Sequence, residues 1–185
     1  MGCTLTLALN THVHADHVTA SGRLKQEVPG LRSCISKVSG AKADIQLSPG
    51  DSVTWAAGQR TLQVINTPGH TNGCLTYYDA AMGAAFTGDA LLIGGCGRTD
   101  FQQGDAEALY ESIHQRLFTL PPSTLVMPGH DYKGRSFSTI STERTTNPRL
   151  AHTTKEEFAA LMAKLGLPHP KKMDIAVPAN MMCGV

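Results

Sequence analysis

A chain of 185 residues, 41% apolar and 17% charged, is long enough to bury a substantial core and too apolar to stay disordered. Its formal net charge of +1 and the lack of any Lys/Arg run argue against a nucleic-acid surface or an acidic tail, and no apolar stretch is long enough to span a bilayer as a helix. Five cysteines (Cys3, Cys34, Cys74, Cys96, Cys183) are odd in number, widely spaced and free of any CxxC pair, which reads as free thiols in a reducing compartment.

In chain order, short strands alternate with helical patches. The opening "MGCTLTLALN" has no charged n-region and no Arg-rich amphipathic character, so it reads as a strand, "CTLTLAL", and not as a targeting signal. "DHVTASGRLKQEV" has the composition of a modest helix, stopped by Pro29-Gly30, and "SCISKV" that of a strand. "DSVTWAAGQRTLQVINT" predicts a hairpin turning near Gly58, with Val53, Trp55, Leu62, Val64 and Ile65 in its arms. "CLTYYD" and "GAAFTGDALL" predict two more strands around a turn at 80–83. "GDAEALYESIHQRLFTL" is the clearest helix: Asp105 can cap it, and Ala106, Leu109, Tyr110, Ile113 and Leu117 recur at helical spacing. "STLVMPGH" predicts a buried strand ending in a turn. A last helix is expected from about Lys155 to Leu165, with Glu156 and Glu157 in the first turn, where the helix dipole favours them. No repeat or linker interrupts this pattern, so residues 1–185 are expected to form one α/β domain.

The polar residues fall at the ends of the expected strands. "CTLTLAL" runs into His12, His14, Asp16 and His17; "LQVINT" into His70; "AAFTGD" ends in Asp89; "TLVMPGH" ends in His130. Loops at strand ends are where a rigid scaffold holds functional side chains. Imidazole and carboxylate together suit zinc, iron or manganese, and a glycine beside three of these positions lets the backbone turn sharply. A lone His70 or His130 would read as an ordinary loop histidine, and Asp89 as a turn residue. Their joint occurrence with the HxHxDH string points to a metal site. His114, His152 and His169 remain outside it.

The strings "THVHADH", "PGHT", "TGDA" and "PGH", in this order, resemble the metallo-β-lactamase superfamily. The resemblance implies an αββα sandwich with a metal cleft at one edge. In its dinuclear members the positions matching His12, His14 and His70 hold one metal, those matching Asp16, His17 and His130 the second, and the Asp89 position bridges them. "GCGRTDFQQGD", "GHDYKG", "ERTTNPRL" and "DIAVPANMMCGV" resemble the persulfide dioxygenase family within that superfamily. This second resemblance implies oxidation of glutathione persulfide by O2 to sulfite and glutathione. It implies one Fe(II) per chain, held by His12, His70 and Asp89 in the two-histidine, one-carboxylate arrangement of non-haem oxygenases.

His14, Asp16, His17 and His130 then surround the ligands without binding a second metal, and Tyr132 and Cys96 lie near the iron. Arg98 is expected to brace the cleft through salt bridges. Arg149, whose planar fork suits a carboxylate, and Cys183 are placed near substrate, although Arg149 alone would read as a surface arginine and Cys183 as a small buried hydrophobe. No nucleic acid or membrane partner is expected, and a homodimer is compatible with the family.

Family members carry strands and a helix before the HxHxDH motif, so the resemblance also implies that the first half of the sandwich is incomplete at the N-terminus. The mitochondrial matrix is implied by the eukaryotic members alone, with the cytoplasm as the alternative. Two other readings stay open: a dinuclear hydrolase of glutathione thioesters resembling glyoxalase II, and a shortened form that binds metal without catalysis. The hydrolase needs all seven ligand positions, which are present, but it typically has a histidine where this chain has Cys74.

Overall fold

The computed structural model describes residues 4–185. Nine strands and five α-helices follow in the order β1 Leu7–Leu9, α1 Ser21–Glu27, β2 Arg32–Ser36, β3 Ile45–Leu47, β4 Ser52–Trp55, β5 Arg60–Asn66, β6 Leu75–Asp79, β7 Ala84–Gly88, α2 Ala106–Ser112, β8 Leu125–Pro128, β9 Ser138–Thr139, α3 Ile140–Thr146, α4 Lys155–Ala163 and α5 Met173–Met181. They build two sheets among the described residues. The smaller has the order β1-β2-β3 and is parallel. The larger has the order β4-β5-β6-β7-β8-β9 and is antiparallel except for the β7–β8 pair.

The sheets face each other across one apolar layer. Cys34 and Leu47 from the small sheet pack with Val53, Leu62, Val64, Leu75 and Tyr77 from the large one. In β5 the buried Leu62 and Val64 alternate with the exposed Thr61 and Gln63, the period-two pattern of a strand with one covered face. Every residue of β6 is buried, as a strand covered on both faces must be.

Helices cover the outer faces. Leu109, Ile113 and Leu117 are fully buried with Val126, Ile140, Leu150 and Phe158, placing α2, α3 and α4 against the large sheet. Each such side chain contributes roughly 1.5–3 kcal/mol relative to exposure. On the opposite side Val177 and Met181 of α5 pack against Val13, Ile35 and Ala41. The layers are therefore helix, sheet, sheet, helix, as the resemblance implied.

The hairpin forms as the sequence predicts, with Trp55 opposite Arg60 and a turn through Gly58, whose φ of 85° suits a residue without Cβ. Asp105 caps α2 by accepting from the Ala108 N–H, and one further turn, Ile113–Leu117, continues it as a π-helix. The helix expected over 155–165 ends at Ala163 and starts with a capping box between Thr154 and Glu157.

Other expectations are corrected. The N-terminal strand is only Leu7–Leu9, and Cys3 lies outside the described residues. The helix expected across 16–28 starts at Ser21, because Asp16–Thr19 belong to a loop held by side-chain hydrogen bonds. The 155–165 helix is not the last: "MDIAVPANM" is helical despite Pro178, and α3 and β3 also form where the local pattern showed nothing. Tertiary packing, not intrinsic propensity, makes these short elements. Among the described residues, no helix is long and apolar enough to cross a membrane.

Candidate metal centre

Four strand ends converge on one edge of the sandwich. The loop after β1 carries His12, His14, Asp16 and His17; the loop after β5 carries His70; Asp89 follows β7; and His130 follows β8. The side chains form two groups, each with donor atoms within 4.8 Å of one another: His12, His70 and Asp89, and His14, Asp16, His17 and His130. The groups adjoin. The His12 and His14 ring centroids are 4.2 Å apart, and His130 Nε2 is 3.7 Å from Asp89 Oδ2 and 3.4 Å from Asp16 Oδ2. His14 thus stands with Asp16, His17 and His130 in this geometry.

Burial and mutual repulsion tune the group toward cation binding. Burial, with His14 and His70 close by, holds His12 well below the ordinary histidine value, so its imidazole is neutral and keeps a lone pair. Burial and then His17 bring His14 down to about 4, against the opposing pull of Asp16. Burial pushes the Asp89 carboxyl up, while His70 and His130 pull it the other way. Asp89 Oδ1 and His14 Nδ1 are both buried without a hydrogen-bond partner. Lone pairs left bare in a buried cluster of imidazoles and carboxylate are what a divalent cation would satisfy. The residues fit a metal.

The ligand orientations are set by neighbours. His70 Nδ1 donates to the Arg98 carbonyl at 2.7 Å, which leaves Nε2, 3.8 Å from Asp89 Oδ2, as the lone-pair nitrogen. His12 Nδ1 lies 3.0 Å from Thr11 Oγ1. Gly97 lets the chain pass behind both groups: a Cβ there would sit 2.9 Å from His70 Cγ and collide with the Asp89 carbonyl. Its own N–H donates to that carbonyl at 2.8 Å.

The centre opens into a cleft of about 590 Å³ lined by His70, Asp89, Arg98, His130, Tyr132 and Arg149 among others. Arg98 pairs with Asp100 at 2.6 Å and donates to the carbonyls of Leu167 and Pro168. Arg149 lines the cleft and donates one Nη1 bond to the Cys96 carbonyl at 2.9 Å. Lys133 lines it too, and neither cation is paired with a carboxylate among the described residues. Tyr132 is 83% exposed at the mouth, parallel to His130 with ring centroids 6.0 Å apart. The Cys96 thiol turns into the core, 3.9 Å from Met162 Sδ, and burial pushes it up to about 11.

Cys183 is not brought to the cleft. It lies beyond the end of α5, against a separate cavity of about 10 Å³ that it shares with His12, Asn10, Thr19 and Asn180. His114 stacks on Tyr110, and His169 lies against Phe101.

Sequence reasoning missed Glu143, Asn147 and Asn180, all buried polar residues. Glu143 Oε2 accepts from the Gly94 N–H at 2.9 Å and from Asn147 Nδ2 at 2.8 Å, and Asn147 Nδ2 also donates to the Gly95 carbonyl at 3.0 Å. With Arg149 they hold the Gly94–Cys96 wall of the cleft. A lone amide in the apolar run "AVPANMM" was the available signal for Asn180.

This fold and its strand-end metal cleft are those of the metallo-β-lactamases, and residues 1–130 match the family model described as "Metallo-beta-lactamase superfamily". The chain is 53% identical to "Persulfide dioxygenase ETHE1, mitochondrial" of Bos taurus over its whole length, spanning 72% of that relative. The crystal structure of ETHE1 from Myxococcus xanthus superposes with a TM-score of 0.93 at 50% identity, covering 98% of this chain and 79% of that one. A hydroxyacylglutathione hydrolase of Chelativorans is more distant, 37% identical over 84% of this chain. The chain belongs to the metallo-beta-lactamase superfamily and, within it, to the persulfide dioxygenase family.

Proposed function

We propose that this chain is an iron-dependent persulfide dioxygenase acting on glutathione persulfide with O2, and that residues 1–185 work as one domain. One ferrous ion is held by His12, His70 and Asp89, with His14, Asp16, His17 and His130 outside its ligand set. The observation that carries the reading is the separate two-histidine, one-carboxylate group, a donor set suited to non-haem iron. In such a site ferrous iron supplies the redox chemistry by which dioxygen reaches a sulfur atom. The Bos taurus relative, named as a mitochondrial persulfide dioxygenase, supports the substrate class and a mitochondrial location.

The chain's own residues do the rest. The Arg98 carbonyl holds His70 in the tautomer that presents Nε2. Arg149 and Lys133 offer unpaired positive charge along the cleft for the carboxylates of a glutathione moiety, Arg149 with guanidinium donors left beyond its bond to Cys96. Asp16 and His130 stand 3.4 Å apart beside Asp89, where they orient groups at the ligand edge. Cys96 acts through its carbonyl, by fixing Arg149.

A second reading, a dinuclear hydrolase, has one observation in its favour: the second group could itself hold a cation. Oxygen uptake by anaerobically iron-loaded protein given glutathione persulfide, with metal counted on the same sample, separates them. Persulfide-dependent uptake at about one iron per chain supports the dioxygenase. Two metals with thioester hydrolysis and no uptake would replace it. A protein with bound metal and neither activity would leave the metal-binding reading alone.

A further inference from the structure

Asn180 joins the last helix to the loop that carries three of the five histidines of the centre. Asn180 is 3% exposed, and both polar atoms of its side chain bond to that loop. Nδ2 donates to the carbonyls of His14 at 2.9 Å and His17 at 2.8 Å, and Oδ1 accepts from the Thr19 N–H at 2.8 Å. The loop's next fastener, Thr19 Oγ1, donates to Asn10 Oδ1 at 2.7 Å, so one continuous chain of bonds runs from α5 to the residue that follows β1. The partners lie more than 160 residues apart in sequence, so nothing local orders this contact. The same helix meets the same loop through apolar packing, since Val177 and Met181 pack with Val13, the residue between His12 and His14.

We propose that Asn180 is the positioning residue through which α5 sets metal affinity, so that filling the metal centre and docking α5 are thermodynamically coupled. The inference rests on the metal reading above. The amide's two donors hold the backbone on either side of Asp16, and its acceptor fixes the loop's exit. If α5 lifts, the His14–Thr19 backbone loses three hydrogen bonds at once, and the histidines lose their common geometry. Linkage makes the effect reciprocal: a cation that selects the ordered loop must also stabilise the docked helix.

The wild-type protein supplies the first test, peptide-level hydrogen–deuterium exchange with and without ferrous iron under anaerobic conditions. Added iron is expected to slow exchange across Met173–Met181 as well as in the 12–19 loop. Protection confined to the loop would overturn the coupling. No iron-dependent change anywhere would instead fail the metal reading.

Asn180→Ala and Asn180→Asp sharpen it. The aspartate keeps the acceptor for Thr19 but sets a carboxylate oxygen against two carbonyls. Both variants should bind iron about 10–100-fold more weakly, the usual effect of removing support from the groups that surround a metal's ligands. Their iron-induced rise in Tm should shrink, while their metal-free Tm changes less. A lowered metal-free Tm with iron affinity equal to wild type would make Asn180 merely structural and sink the proposal.

Discussion

The Arg98 carbonyl, in the strap that lines the cleft, accepts a hydrogen bond from His70 Nδ1 at 2.7 Å. One residue earlier, Gly97 packs against the same imidazole and donates its N–H to the Asp89 carbonyl. The strap is therefore a template for two of the three proposed ligands, and its fit allows no side chain at Gly97.

Gly97→Ala is expected to lower metal affinity at least tenfold, because its Cβ would displace His70 and Asp89 while the backbone there is ordinary for any residue. Gly95→Ala, where a Cβ meets nothing within 4 Å, is the matched control and should bind like wild type. Metal titration of both by calorimetry checks the pair. Equal affinity would mean that the strap yields.

On the proposed ligand assignment, His70→Ala and Asp89→Ala should lose iron through purification, whereas His130→Ala should keep most of it and turn over more slowly. Metal analysis of the three purified variants decides this. Comparable iron loss in all three would remove the mononuclear assignment.

Asn147→Ala should cost stability more than chemistry. The residue is fully buried, and truncation leaves the Gly95 carbonyl and Glu143 Oε2 each short of a donor. Each acceptor keeps one other donor, so the cost is that of the lost hydrogen bonds, about 0.5–1.5 kcal/mol for the neutral one and more for the one to the carboxylate, and a loss of about 2–3 kcal/mol is expected by urea denaturation. A change under about 0.5 kcal/mol, the level of an ordinary surface substitution, would mean the network contributes little.

Asp44 sets an acid-side limit on the small sheet. Lys25 first, and then the Ser33 backbone N–H, hold its carboxyl down to about 2 from an ordinary 3.8. Because the folded value is depressed, the unfolded chain binds the proton first as the pH falls. The contribution is present in full above 3.8 and disappears as the pH drops toward about 2. Asp44→Asn should therefore be less stable than wild type near neutral pH, with the gap closing across that window. A gap independent of pH would assign the effect to packing and not to charge.

Much of the site was legible in the residues themselves. A hydrophobic run ending in His or Asp is a local pattern, and "NTHVHADH", "PGH", "TGD" and "PGH" mark strand ends however the strands assemble. The hairpin, the Asp105 cap and the α2 stripe were legible for the same reason, since each is settled by neighbours a few residues away. Asn180 was overlooked because motif likeness does not say which face of a helix a residue occupies, and Cys183 was placed near substrate by likeness alone, which says nothing of where the chain after α5 runs.

By itself, then, the sequence determined which side chains can bind a cation, where the strands that deliver them end, and which family they resemble. Only the tertiary structure decided how the seven ligand-type residues divide into two groups, that Arg98 works through its backbone carbonyl, and that α5 closes beneath the metal loop. Those outcomes depend on contacts between residues far apart in the chain. Such contacts form when buried backbone groups must find partners, and no local pattern encodes which partner they find.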